Sequence, residues 1–295
     1  EITVRGEAYL VRLLEFLDGE PLTRRKLLPE RTRAAMGALV ADVARGLADL
    51  RHEGLDRSVQ WDLRRVMQVT EHMLPQVADA EIRARVATTL AAADRLVQAQ
   101  AASLRIHAIH HDITDDNVVS KPDADGVPIP DGVIDFGDIV YGWVVADLAV
   151  CCAALLHHVD GDPLHILPTV RAFHQVYPLN DAEIAVLWPL IVQRACLLVA
   201  SGEQQLSVDP DNDYVIANLV HEREIFRVAT SVPHAVMTTA IRQALGLEPA
   251  ASARSYLPLL PAIPRDAVTL VALDPQSDHW DTFAWTLPGI DLAIA

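Results

Sequence analysis

The chain has 295 residues, 51% hydrophobic and 5% aromatic, which is enough for a globular core built mainly of aliphatic side chains. A total of 40 Asp and Glu against 24 Lys and Arg gives a net charge of −16, which argues against nucleic acid or an anionic membrane as partner. The 3 cysteines lie in apolar runs without metal-type spacing. With no signal peptide or transmembrane-length apolar run, they predict a reducing, cytoplasmic location.

The first fifty residues change in character near Pro29. Residues 7–17, EAYLVRLLEFL, are rich in strand formers and lack helix caps, which predicts one or two strands. From Pro29 the apolar residues recur every three or four positions as far as Leu50, as on one face of an amphipathic helix, with Gly54 as its stop. A shorter helix follows, and Asp79 is placed to cap a third.

The middle of the chain alternates short apolar segments with polar loops. The stretch LRIHAIHHDITDDNVV at 104–119 predicts a strand, a polar loop and a second strand. A hairpin turn is predicted at 120–132, and GVIDFGD at 132–138 reads as another short strand that ends at carboxylates. The two polar loops are therefore expected at the same edge of the small sheets.

The following segments are predicted helices. Residues 143–158, WVVADLAVCCAALLHH, are apolar on nearly all sides, which predicts a buried helix. Asn180 and Glu183 form a capping pair ahead of another buried helix at 182–200, which we expect to bend at Pro189. Two further helices are predicted, at 214–230 and 233–245.

The composition changes again after Gly246, where prolines become frequent. We therefore divide the chain into residues 1–20, residues 21–246, which form a mainly helical unit, and residues 247–295. The last segment is predicted to be an extended, Pro-rich linker, a small β-rich appendage or the start of a following domain, with a lone strand at 268–273.

Four residues of the two polar loops carry the chemistry. The spacing is H-x-D-x-x-x-x-N at His110, Asp112 and Asn117, followed by an apolar-apolar-D-F-G segment at Asp135. Phosphoryl transfer to a hydroxyl needs one carboxylate to orient the hydroxyl and accept its proton, and a carboxylate and an amide to hold Mg²⁺ on the nucleotide phosphates. Asp112 fits the first role, Asn117 and Asp135 fit the second, and His110 would orient the loop.

Two other interpretations of this segment remain open. The loop could be an ordinary solvated acidic turn followed by an unrelated strand end. It could also hold zinc through His107, His110, His111 and Asp112, although a strand and loop do not provide the helical spacing that such pairs use.

The motifs HHDITDDNVV and GVIDFGDIVYGWVVADLAV resemble the aminoglycoside phosphotransferase and choline kinase superfamily, in particular its hydroxylysine-kinase-like branch. The segments YLVRLLEFLDGEPL, SVQWDL and DPDNDYVIANLVHERE are similar to the same branch. The resemblance spans about residues 7–229. An ordinary protein kinase is disfavoured, because DFGD runs almost directly into a buried helix without an A-P-E segment.

The resemblance implies an α+β, protein-kinase-like fold that consists mostly of the helical C-lobe, with residues 1–20 as the last N-lobe strands and hinge. Asp112 would be the catalytic base, Asn117 and Asp135 the Mg²⁺ ligands, and Asp147 the residue that braces the catalytic loop. The implied reaction transfers the γ-phosphoryl of ATP or GTP to an amino-alcohol such as hydroxylysine; choline, homoserine or an aminoglycoside are alternative acceptors. Related domains are also fused to class III, pyridoxal-phosphate-dependent aminotransferases, and a piece of such a fusion would explain Glu1 and the Pro-rich tail.

Two departures from the family pattern bear on this interpretation. His111 stands where the family has Gly or Asn, so a backbone that needs a left-handed residue would be strained. The chain has no Gly-rich phosphate loop and no strand Lys with a Glu partner ahead of the hinge, so these residues alone are expected to bind nucleotide poorly and to be inactive.

Other polar and aromatic residues have a structural and a functional interpretation. Asp115 and Asp116 are either solvated or recruit the ammonium group of a substrate. Trp61, Tyr141 and Trp143 either pack in the core or form a wall for a cationic substrate.

Several basic residues are interpreted as structural. Arg194 lies in a very apolar helix and is expected to have a carboxylate partner. His157, His158 and His165 are predicted to lie at the surface and not to act as ligands.

A rival of another class is a non-catalytic module that binds a ligand or partner for a fused enzyme. It would need no base and no metal ligands at matched positions, whereas an enzyme would.

Overall fold

The computed structural model describes residues 2–9, 11, 13–158 and 161–247, together with two paired strands near the C-terminus. The described helices are α1 Glu30–Leu47, α2 Val66–Met73, α3 Ala80–Gln98, α4 Val144–Leu155, α5 Leu167–Val176, α6 Asp181–Val208, α7 Asp213–Ala229 and α8 His234–Ala244. The described strands are β1 Ile2–Val4, β2 Glu7–Tyr9, β3 Glu20–Pro21, β4 Ile106–Ile109, β5 Val118–Pro122, β6 Pro128–Val133, β7 Val140–Trp143, β8 Phe283–Leu287 and β9 Ile290–Ile294.

Helix starts follow the capping signals of the sequence. The Asp79 carboxylate accepts hydrogen bonds from the backbone N–H of Glu81 and Ile82 at the start of α3, at 2.8 and 3.0 Å. Asn180 and Glu183 form a reciprocal capping box at the start of α6. Both predicted caps are confirmed.

Helix α1 ends earlier than predicted. Its last residue is Leu47, and Gly54 lies instead in a short 3-10 turn, where its N–H donates to Nδ1 of His52. The predicted stop was wrong because no residue from Ala48 to Leu50 is buried, so that an extended helix would have nothing to pack against.

Helix α6 is the centre of the core. It packs against α2, α3, α4, α7 and α8, and most of its residues are buried. By length and composition alone, it is the one helix of the described residues that could cross a membrane, with a mean hydropathy of 1.9, but 89% of that window is buried inside the protein. It therefore serves here as a core helix.

Helix α4 is buried along its whole length, from Val144 to Leu155, as its apolar sequence predicted. It packs between α1, α5 and α6. Helix α1 also contacts α5 closely: a Cβ at Gly37 would lie 2.0 Å from the backbone oxygen of Thr169. Only glycine permits this approach.

Two small antiparallel sheets place the polar loops. Strand β4 pairs with β7, with Ile109 opposite Val140, and β5 pairs with β6, with Val118 opposite Val133. The loop 110–117 joins β4 to β5, and the loop 134–139 joins β6 to β7. The first loop is flanked by β4 and β5, and these pair with β7 and β6, which flank the second loop. The two loops therefore lie side by side, as the sequence predicted.

The N-terminal segment contains less strand than predicted. Strand β2 ends at Tyr9, and the described residues between it and Glu20 form no strand. Leu13 and Phe16 are 99% and 84% exposed. At the described positions beyond Tyr9 the strand prediction over 7–17 was wrong, because strand-forming side chains need a neighbouring edge, and of this N-terminal segment only Glu20–Pro21 is seen paired with β5.

The described part of the C-terminal segment consists of two strands, β8 and β9. The strand predicted at 268–273 lies outside the described residues. Strands β8 and β9 pair with each other, with Phe283 opposite Ile294; they lie C-terminal to the one strand position named from the sequence.

Candidate active site

The Asp112 carboxylate lies between two side-chain donors. Nη2 of Arg194 donates to Oδ1 of Asp112 at 3.0 Å, and Nδ2 of Asn117 donates to Oδ2 at 2.7 Å. The side chain of Asp112 is 25% exposed, whereas that of Arg194 is 5% exposed. One face of the carboxylate is therefore fixed from inside the protein while part of it remains open to solvent.

Asn117 joins the two polar loops. Its Nδ2 also donates to the backbone oxygen of Asp112 at 3.0 Å, so both amide hydrogens are used within the loop and the amide oxygen is left to accept. Its backbone oxygen accepts from the N–H of Ile134 at 2.9 Å. Asp135 therefore follows directly after a residue that is bonded to Asn117.

Asp135 is held in an unusual backbone conformation. Its φ is +61°, in the left-handed region that non-glycine residues rarely adopt, and its Oδ1 accepts from the N–H of Gly137 at 3.0 Å. The residue is exposed. An amide oxygen from Asn117 and a carboxylate from Asp135 are hard oxygen ligands, which is the chemistry that Mg²⁺ or Ca²⁺ selects.

Asp147, in the first turn of α4, accepts hydrogen bonds from the start of the loop 110–117. The N–H of His110 donates to its Oδ2 at 3.0 Å and that of His111 to its Oδ1 at 2.6 Å. Asp147 is fully buried. Burial raises the pKa of its carboxyl to about 7; the two backbone hydrogen bonds oppose this shift and the charge of Asp112 adds to it.

The ring of His110 bridges the two loops. Its Nδ1 accepts from the N–H of Asp112 at 3.3 Å, and its Nε2 lies 3.1 Å from the backbone oxygen of Ile134. The ring also packs against Phe136, with centroids 4.5 Å apart. Burial lowers the pKa of His110, so it is a neutral imidazole that donates from Nε2.

His111 has the strained backbone that the sequence indicated. Its φ is +72° and its side chain is buried, with no hydrogen-bond partner for Nδ1 among the described residues. Burial, with the charge of Arg194, lowers the pKa of His111 to about 3. The loop 110–117 therefore contains a buried, neutral imidazole whose Nδ1 is unpaired, at a position where a glycine would be free of strain.

The structure corrects the interpretation of Asp115, His157 and His158. Asp115 is not solvated but 3% exposed, and its Oδ2 lies 3.0 Å from Nε2 of His157 and 2.8 Å from Nε2 of His158. The prediction that both histidines lie at the surface was wrong. Both lie in the turn that follows α4, where their side chains are directed to Asp115. Since its carboxylate is occupied by two imidazoles, we do not propose Asp115 as a substrate contact.

The aromatic candidates mostly have partners inside the protein. Trp61 lies under the guanidinium of Arg194, 4.7 Å from its ring centroid, so it makes a cation–π contact with the protein's own arginine. The hydroxyl of Tyr141 accepts from the N–H of His52 at 3.0 Å. Trp143 is buried in the core, where it serves packing. His165 has an exposed side chain, as predicted.

The remaining candidates are Asp116 and the zinc set. Asp116 is partly exposed, and burial raises the pKa of its carboxyl. The zinc interpretation was wrong for His107, because strand β4 directs its ring to Ala108 and Tyr177, with Nδ1 2.7 Å from the Ala108 oxygen and Nε2 3.3 Å from the Tyr177 hydroxyl.

Sequence reasoning predicted a carboxylate partner for Arg194 but not which one. The partner is Asp112, 82 positions earlier in the chain. A lone arginine in an apolar helix was the available signal; the pairing itself depends on how α6 packs under the loop.

Comparisons with known proteins agree with this geometry. The chain is 24% identical to hydroxylysine kinase of Mus musculus over 217 residues, and 26% identical to that of Bos taurus over 218 residues. The alignments cover 70% of this chain and 56% and 57% of the two relatives, so it spans little more than half of their length. An ethanolamine kinase structure from Plasmodium vivax superimposes with a TM-score of 0.51 at 12% identity, covering 73% of this chain and 63% of that one.

That superposition confirms the kinase-like fold. The model of the family described as phosphotransferase enzyme family matches residues 3–178, which is more than half of the chain. On this match and on the residues of the two loops, the chain belongs to the phosphotransferase enzyme family.

Proposed function

We propose that the chain forms the helical, acceptor-binding part of a kinase that transfers the γ-phosphoryl group of ATP to a hydroxyl of a small amino-alcohol. The observation that carries this proposal is the Asp112 carboxylate, held by Arg194 and Asn117 at the edge of a loop that lies beside Asp135. A scaffold protein has no physical need for such a set of groups.

Asp112 acts as the general base. Its carboxylate orients the acceptor hydroxyl and takes the proton as the oxygen attacks phosphorus. Arg194 and Asn117 fix the rotamer of Asp112 through one contact on each oxygen. The positioning supplied by these two donors limits the carboxylate to orientations that face the open side of the loop.

Asn117 and Asp135 would hold Mg²⁺ through their free oxygens, because both Nδ2 hydrogens of Asn117 are directed to Asp112 and the Asp135 carboxylate is exposed. When bound, the ion neutralises charge on the nucleotide phosphates. The protein's own contribution is the alignment of the two loops, since His110 contacts Ile134 and Asp112 and so couples the base to the metal-binding loop.

For the acceptor we propose hydroxylysine or a similar amino-alcohol. The support is the similarity to the two hydroxylysine kinases, which covers Asp112, Asn117 and Asp135. Asp116, Trp61 and Tyr141 are proposed to line the acceptor site, with Asp116 as the partner of an ammonium group. Choline, homoserine and an aminoglycoside remain alternative acceptors, and GTP remains an alternative donor.

The test is a phosphoryl-transfer assay on the full-length protein. Labelled ATP or GTP and Mg²⁺ are supplied with a panel of hydroxylated amines, and transfer to hydroxylysine is expected to exceed transfer to the other acceptors. The Asp112→Asn variant is expected to lose about 10²–10⁴-fold in kcat, which is the usual contribution of a general base. Asp131→Asn is the matched control, since Asp131 is an exposed hairpin acid paired with Lys121.

A non-catalytic binding module gives a different pattern. It would bind its ligand equally well in the wild type and in Asp112→Asn, would not depend on Mg²⁺, and would show no transfer to any acceptor. That result would overturn the proposed function.

A further inference from the structure

A second group of potential metal ligands lies at the end of α4. Nε2 of His157 and Nε2 of His158 both approach the same oxygen, Oδ2 of Asp115, at 3.0 and 2.8 Å. The three ligand-type atoms lie within 4.8 Å of one another. Asp115 reaches the group from the catalytic loop, 42 residues before His157.

The surroundings of this group are partly closed and partly open. Asp115 and His158 are each 3% exposed, whereas His157 faces an open cavity of about 560 Å³. The ring of His221, on α7, stacks on that of His157 with centroids 4.6 Å apart. The cavity supplies an entry path to the group, and it is lined by His157, Val220, His221, Arg223, Glu224 and Arg227.

We propose that Asp115, His157 and His158 form a binding site for a divalent transition-metal ion of the zinc type. Two imidazole nitrogens and one carboxylate oxygen make a mixed ligand set that suits zinc, whereas Mg²⁺ prefers an all-oxygen set. Three protein ligands leave a fourth position for water on the side of the cavity. The site is therefore chemically distinct from the pair Asn117 and Asp135.

The protonation of the two imidazole rings is compatible with the binding of a metal ion. Without an ion, both imidazoles carry their proton on Nε2 and donate to the carboxylate. An ion would bind the lone pairs of the same Nε2 atoms, which requires each ring to carry its proton on Nδ1 instead. A neutral ring would therefore change tautomer but would neither gain nor lose a proton.

An ion in this site would fix the catalytic loop from a second direction. The backbone oxygen of Asp115 accepts from the N–H of Leu22 and of Thr23, at 3.0 and 3.2 Å, so the same residue also attaches the loop to the segment after β3. The inference concerns metal binding and does not depend on phosphoryl transfer.

The test uses the full-length protein freed of metal with EDTA. Zn²⁺ is titrated calorimetrically in the presence of excess Mg²⁺ and without nucleotide, and one Zn²⁺ per chain is expected. Co²⁺ in its place is expected to give the visible absorption of a four-coordinate site. His157→Gln and His158→Gln should each weaken Zn²⁺ binding by on the order of 100-fold, since loss of a direct ligand costs at least as much as loss of its outer partner.

His72→Gln is the matched control, because His72 is an exposed histidine on α2, and it should bind Zn²⁺ as the wild type does. Circular dichroism shows whether each variant is folded. Should a variant unfold, the Co²⁺ spectrum of the wild type decides: octahedral absorption would overturn the proposal. The proposal would also be overturned if excess Mg²⁺ displaced Zn²⁺ from the protein. The same holds if folded His157→Gln and His158→Gln variants keep the wild-type affinity for Zn²⁺.

Discussion

The loop 110–117, which carries the proposed base Asp112, is attached to both ends of helix α4, and the two attachments use opposite chemistry. At the start of the helix, the helix supplies the acid: Asp147 accepts from the backbone of His110 and His111. At the other end, the loop supplies the acid: Asp115 is bonded by His157 and His158. One helix thus fixes the loop on either side of Asp112.

The two acids differ in protonation because their partners differ. Asp147 is bonded only by neutral backbone groups in a fully buried position, so burial prevails and its pKa rises to about 7. For Asp115, the two histidines outweigh the effect of burial and the pKa falls. Burial alone therefore does not decide whether a carboxylate is charged; the charge that its donors can carry does.

The largest expected effect is at the first attachment. Asp147→Ala leaves the N–H groups of His110 and His111 without their acceptor in a buried position. The free energy of unfolding should fall by about 2–6 kcal/mol, since each of the two buried N–H groups left without an acceptor costs about 1–3 kcal/mol. Urea unfolding measures this.

Its matched control is Asp213→Ala, an exposed acid in the first turn of α7, which should cost only about 0.3–1 kcal/mol. Equal losses in the two variants would contradict the role of Asp147 as an attachment.

The next effect is at Arg194, which contacts the loop between the two attachments. Arg194→Met keeps an apolar side chain in α6 but removes the donor to Asp112, so stability should fall by about 1.5–3 kcal/mol. We also expect kcat to fall while KM for nucleotide stays unchanged, because only the orientation of Asp112 is lost.

Arg227→Met is the control for this change, since Arg227 forms an exposed pair with Glu224. Its cost should be below about 0.5 kcal/mol. A raised KM without a change in kcat for Arg194→Met would argue against a positioning role.

At the second attachment, Asp115→Asn should cost less. The amide oxygen still accepts one imidazole N–H but carries no charge, so the loss is about 1–2 kcal/mol in metal-free protein at pH 7. If this loss equals that of Asp147→Ala, the two attachments are equivalent and the comparison fails.

The smallest expected effect is a pH dependence of the first attachment. Because the folded-state pKa of Asp147 is above its value of 3.8 in the unfolded chain, the folded state binds more protons and its contribution declines as pH rises from about 4 to 7. The cost of Asp147→Ala should therefore be greater at pH 5 than at pH 8. Thermal unfolding at both pH values measures this, and a greater cost at pH 8 would reverse the sign.

Local signals allowed much of the fold to be predicted from the sequence. Asp79 and the pair Asn180 and Glu183 act on N–H groups two or three residues away, so the sequence contains both partners. The adjacency of Asn117 and Asp135 was also predictable, because hairpin pairing connects residues that are near in the chain.

Long-range pairings could not be predicted in the same way. Asp115 is 42 and 43 positions from its two histidines, and neither HH at the end of an apolar helix nor DD in an acidic loop indicates the other. The strand prediction over 7–17 failed for the opposite reason. The local preference of these residues for strand is real, but beyond Tyr9 the described structure shows no neighbouring strand edge with which they pair.

Helix α6 has two roles, because Arg194, which contacts the proposed base Asp112, projects from a helix that is almost entirely buried in the described core. Successive residues of a helix are rotated by about 100°. A shift of α6 by one residue would therefore turn Arg194 away from the loop, while its apolar neighbours would still make hydrophobic contacts. Loosening of the interior would thus abolish the proposed phosphoryl transfer before the protein unfolds.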